Sequence, residues 1–188
     1  GPEARGDGDR EAAVSMFHRV GLDLVGSIER LGADDSAPGG ISWIDTLTSG
    51  SLEGRLSRGF GLPVPVPDLW GLSLRPALGD DSLRDPASKG SSGNELRLVT
   101  VLGRGVVGRT VPLVRLSPWG VPFGTVRPVR WDASRVYVGA VTVSGAPASA
   151  TTTGQARELT RRPWVLRLAR ATRRGAWTDV ATLSLSVR

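Results

Sequence analysis

Eight short runs of period-two alternation, parted by glycine- and proline-rich breakers, constrain this chain more than any other feature. Alternation at period two puts successive side chains on opposite faces of a strand. In the last run, Leu183, Leu185 and Val187 share one face and Thr182, Ser184 and Ser186 the other. In an earlier one, Val136, Val138 and Ala140 alternate with Tyr137 and Gly139. The alternation predicts strands over Val20–Arg30, Leu52–Arg58, Gly71–Arg75, Glu95–Leu102, Val111–Leu116, Arg135–Val143, Trp164–Ala171 and Val180–Arg188. Between them, residues 37–40, 63–67, 89–94 and 144–154 read as loops. With 25 Gly and 13 Pro, helices have little room; one short helix is expected over Glu11–Arg19, and one or two in all. The expected fold is mainly β, a closed or nearly closed antiparallel barrel of about eight strands, because closure removes exposed edges. A two-sheet sandwich fits the spacing nearly as well.

At 188 residues the chain is the size of one domain. Residues 1–12, opening on a Gly-Pro pair that reads as a protease scar, are expected to be a loose lead-in to a single domain over 13–188. No apolar stretch approaches the roughly 18 residues of a membrane span. No targeting signal is visible, and the expectation is a cytoplasmic protein.

The chain has no cysteine and one histidine, His18. Thiolate chemistry, iron–sulfur clusters, cysteine zinc sites and multi-histidine metal sites are thereby excluded. No metal site is expected. Phosphodiesterase chemistry, which needs two metals or two histidines, has nothing to work with. The Gly103–Gly108 stretch matches a dinucleotide-binding glycine pattern, but Val111-Pro112-Leu113 follows it where a helix is required, so it reads as a loop. Charge is lopsided: residues 1–95 carry 9 basic and 15 acidic side chains, residues 96–188 carry 15 and 3. Nucleic acid is not the expected partner, because most arginines alternate with apolar residues as on the solvated face of a sheet. Arg161, Arg162, Arg173 and Arg174 are expected to lie exposed at strand ends and loops; a polyanion-binding surface over Arg157–Arg174 is the lesser alternative.

Four motifs go further. Phe17-His18-Arg19-Val20-Gly21-Leu22-Asp23 resembles the catalase segment in which a distal histidine enters the first barrel strand. Gly54-Arg55-Leu56-Ser57-Arg58 is similar to the catalase strand that supplies a haem-propionate arginine and a serine orienting that histidine. Pro67-Asp68-Leu69-Trp70-Gly71-Leu72 resembles the turn into the next strand, and Asp179–Leu185 resembles the last strand of small catalase-like proteins. The Phe123–Arg130 stretch is similar to a further motif of those proteins, with both of its tyrosines replaced. The resemblance implies a small catalase-like barrel. It makes His18 and Ser57 the catalytic candidates and Arg55 and Thr100 the cofactor-contacting ones, Thr100 standing where catalases place an asparagine. A catalase also ligates its iron through a tyrosine on a helix beyond the barrel. The only tyrosine here, Tyr137, falls inside a predicted strand. The expectation is therefore a non-catalytic or vestigial barrel that binds a hydrophobic or haem-like ligand, or a protein partner, with no cofactor required. A haem-dependent peroxidase- or catalase-like enzyme using His18, Ser57 and Arg55 is the alternative.

Overall fold

Branched and long apolar side chains spaced two apart need one dry face, and a sheet closed on itself supplies it. The computed structural model describes residues 21–31, 44, 49–63, 65–77, 95–131, 134–149 and 151–188. The strands are β1 (Gly21–Arg30), β2 (Ser49–Arg58), β3 (Asp68–Pro76), β4 (Leu96–Thr100), β5 (Val114–Arg115), β6 (Phe123–Gly124), β7 (Val129–Trp131), β8 (Ser134–Ser144), β9 (Trp164–Ala171) and β10 (Thr178–Val187), with helix α1 (Thr152–Arg161) between β8 and β9. Strands β1, β2, β3, β4, β6, β8, β9 and β10 pair antiparallel in that order, and β10 returns to β1. The ring is a closed eight-stranded barrel rather than a sandwich. Strand β5 pairs only with β3 and β7 only with β8, both outside the ring.

Eight strands enclose just enough space to be filled by their own side chains. Leu24 and Ile28 of β1, Leu52 and Leu56 of β2, Leu72 and Leu74 of β3, and Leu96 and Leu98 of β4 face inward. Phe123, Val138, Ala140, Leu166, Leu168, Leu183 and Leu185 meet them from the other side. Trp164 is wholly buried; its ring lies edge-on to Trp119 at 4.8 Å and to Phe123 at 5.9 Å, and its indole N–H donates to the Thr142 hydroxyl at 3.0 Å. Leu159 of α1 adds to the same core.

Two expectations need correction. Val111–Leu116 is not a ring strand. Pro112 has no N–H to give a ladder, and the segment makes one isolated bridge, Val101 with Pro112, before Val114–Arg115 pairs with β3. Its place in the ring belongs to β6, a two-residue strand between prolines, too short to show alternation. The loop expected over residues 144–154 ends early, because α1 begins at Thr152: the Thr151 hydroxyl accepts from the Gly154 N–H at 3.1 Å and caps the helix. The glycine-rich stretch Gly103–Gly108 is a loop running into a 3-10 turn, as expected. The helix expected over Glu11–Arg19 lies outside the described residues.

Closure sets tight demands on backbone spacing. Gly26 faces Leu185 across β1 and β10, and a Cβ placed there would fall on the Ser184 carbonyl oxygen. Gly26→Ala should destabilise the protein by about 1–3 kcal/mol through forced strand displacement, read as a lowered thermal midpoint; an unchanged midpoint would show that the β1–β10 seam is looser than described.

Candidate functional site

The pairing registers decide which chemistry-bearing side chains meet. Ser57 of β2 stands opposite Gly71 of β3, and Gly71 opposite Val99 of β4. Arg55 stands opposite Ser73, and Ser73 opposite Arg97. These rows alternate with the inward-facing leucines, so both lie on the outer wall of the barrel. Together they line a shallow depression of about 130 Å³, floored by Ser57, Gly71 and Val99 and edged by Arg55, Ser73, Glu95 and Arg97. A second depression of about 250 Å³ shares Arg55, Ser73 and Glu95 with it and continues past Glu53, Arg75 and Arg188. The two form one groove across β1–β4.

Its rim is a set of ion pairs, two of them across neighbouring strands. Arg55 contacts Asp23 at 2.6 Å, Arg75 contacts Glu53 at 2.8 Å, Arg97 contacts Glu95 at 2.6 Å, and Arg188 reaches Glu53 at 3.6 Å. Solvent-facing pairs of this kind are individually worth about 0–1 kcal/mol. An incoming anion can therefore exchange for a rim carboxylate at little cost.

Arg55 and Ser57 thus come together, two residues apart on one face. Thr100 does not join them. It shares the inward parity of Leu96 and Leu98, is fully buried, donates its hydroxyl to the Leu113 carbonyl at 2.7 Å and accepts from the Trp70 N–H at 3.3 Å. Its role is to fasten the ends of β3 and β4 to the following segment. His18 lies outside the described residues. Gly71, Ser73, Val99, Arg97 and Glu95 were missed from sequence: each sits on a predicted strand, but strand order and register, which bring them to Ser57, leave no local trace.

Tyr137 lies elsewhere, buried on the outer side of β8. There Trp177 covers Gly139, and the Arg104 and Arg109 guanidinium groups stack 5.3 and 5.0 Å from the indole ring. Arg109 is buried and donates to the carbonyls of Gly105, Thr172 and Gly175, tying the glycine-rich loop to the β9–β10 turn. This cluster is filled, with a residual cavity of about 10 Å³. Arg161, Arg162, Arg173 and Arg174 are exposed, as expected; Arg161 ends α1 rather than a strand. Among the described residues, no group of three or more His, Cys, Asp or Glu side chains could hold a metal ion, and no helix is long and apolar enough to cross a membrane.

No protein-family model matches the chain, and no curated protein does.

Proposed function

We propose that this protein is a non-catalytic binding domain whose packed barrel presents the β1–β4 groove to a small apolar ligand carrying a carboxylate. The observation that carries this reading is the division of labour between the two faces of one sheet. The interior is filled by buried leucines and Trp164, while Arg55, Ser57, Gly71, Ser73, Val99 and Arg97 line a single depression on the outside. Gly71 bares the floor, and an apolar body can rest on Gly71 and Val99. Carboxylates of the ligand take the places of Asp23 and Glu95 on Arg55 and Arg97. Apolar contact with a few placed polar groups is the usual make-up of a small-molecule site.

The resemblance to catalases supports the same location, since it assigns Arg55 and Ser57 to a ligand-facing strand. The groove does not fit an iron-ligating haem. Among the described residues that line it there is no tyrosine, histidine, cysteine or methionine to hold the metal. A metal-free tetrapyrrole carrying carboxylates, protoporphyrin IX, is a suitable probe. The purified protein should show no strong Soret band and negligible peroxide disproportionation. It should bind added protoporphyrin IX, and Ser73→Trp, which fills the groove between Arg55 and Arg97, should weaken binding about tenfold or more. Rapid oxygen evolution from peroxide by a tight haem complex would overturn the reading in favour of an enzyme; protoporphyrin affinity unmoved by Ser73→Trp would remove the groove as the site.

A further inference from the structure

We propose that one end of the barrel, formed by residues 59–63 and 65–67 and the strand β5 segment, docks on an anionic lipid surface. This inference is independent of the groove. Five large hydrophobic side chains are left in solvent here: Phe60 and Leu116 at 63% exposure, with Leu62, Val66 and Val114 also exposed. They sit on neighbouring segments. Leu69 pairs with Val114, and the Gly59 N–H donates to the Leu69 carbonyl, so residue 59, residue 69 and residue 114 lie side by side.

The loop is built from inside. Asp68, fully buried, accepts from the Phe60 N–H at 2.9 Å, the Leu62 N–H at 3.0 Å and the Leu69 N–H at 2.7 Å, and pairs with Arg58 at 3.3 Å. Arg58 in turn donates to the Val66 carbonyl. A buried ion pair thus fixes the backbone while much of the apolar side-chain surface stays in solvent. Exposed apolar clusters of this kind mark a contact surface.

Charge selects the occupant. Residues 59–67 carry no charged side chain, and no acidic residue occurs between Glu95 and Asp132. Among the described residues of these two segments and their flanks, the one carboxylate, Asp68, is buried and paired, while Arg115 is exposed beside Val114. Apolar side chains at one end of the barrel, flanked among the described residues by exposed cationic and no exposed anionic charge, match an interface of acyl chains and acidic headgroups.

The test is co-sedimentation of the full chain with vesicles of phosphatidylcholine alone or with phosphatidylglycerol added. Binding is expected to the anionic vesicles, weak binding to the neutral ones, and a decline with salt. Phe60→Ser combined with Leu116→Ser should weaken it about tenfold or more, with thermal stability retained because both side chains are exposed. Arg115→Glu should weaken it as well. Val143→Ser, an exposed valine on β8 across the ring from β2, should not. Absence of binding to anionic vesicles, or binding indifferent to the double variant, would overturn the proposal. So would a dimer in sedimentation velocity that the double variant disperses, since a second copy would then be what covers the patch.

Discussion

Asp68→Ala should cost about 3–5 kcal/mol of folding stability, the range for removing one partner of a buried ion pair. Arg58, 6% exposed, would keep its charge with only the Val66 carbonyl and the face of Trp70, 5.3 Å away, as company. Three backbone N–H groups, those of Phe60, Leu62 and Leu69, would lose their common charged acceptor, and hydrogen bonds to a charged group are among the stronger ones. Asp68→Asn separates the two contributions, because an amide oxygen still accepts from the loop while the charge is gone. Its loss should fall between wild type and alanine. Urea unfolding with an unchanged slope and a shifted midpoint is the measurement. A loss below about 1 kcal/mol in the alanine variant would mean that Arg58 finds another partner and that the loop is held by other means.

Trp164→Ala should lose a comparable amount, about 3–5 kcal/mol, as large-to-small changes at buried aromatics do. The ring fills the end of the barrel where α1 leads into β9, against Trp119 and Phe123, and its indole N–H satisfies Thr142. Eight strands leave no slack to collapse into the void. Trp164→Phe should lose less, since it retains an aromatic ring and forfeits only the hydrogen bond and part of the volume. Thermal or denaturant midpoints order the three proteins. If the alanine variant unfolds at the wild-type midpoint, the interior is not the filled core described above, and an interior ligand site comes back into play.

The barrel was legible where strands are long and alternate cleanly. Trp164–Ala171 shows in the sequence with the bounds it has in the structure, and β1, β2, β8 and β10 are legible to within three residues at either end. The failures have local causes. Strand β6 is two residues, shorter than any period can register, and Pro112 spoils an apolar run that otherwise looks like a ring strand. Helix α1 opens on a threonine-rich stretch of poor helix propensity, held by a cap and by Glu158, which accepts from the N–H groups of Ala148 and Ser149. The site was half legible. Arg55 and Ser57 share a strand, so their common face follows from parity alone. The catalase resemblance groups Thr100 with them, yet β4 pairs with β3 rather than β2, and its parity turns Thr100 inward. Asp68 shows in the sequence only as part of a turn motif. Nothing local reveals that its carboxylate gathers three backbone donors and an arginine.

Ligand is proposed to bind outside a filled barrel, on the β1–β4 wall. Amide chemical-shift mapping during titration with protoporphyrin IX distinguishes the outer wall from the interior. Saturable shifts are expected at Arg55, Ser57, Gly71, Ser73, Arg97 and Val99, with Leu166, Leu168 and Leu183 undisturbed. Shifts concentrated on those interior leucines, or on β8 and β9 with the groove silent, would place the ligand elsewhere.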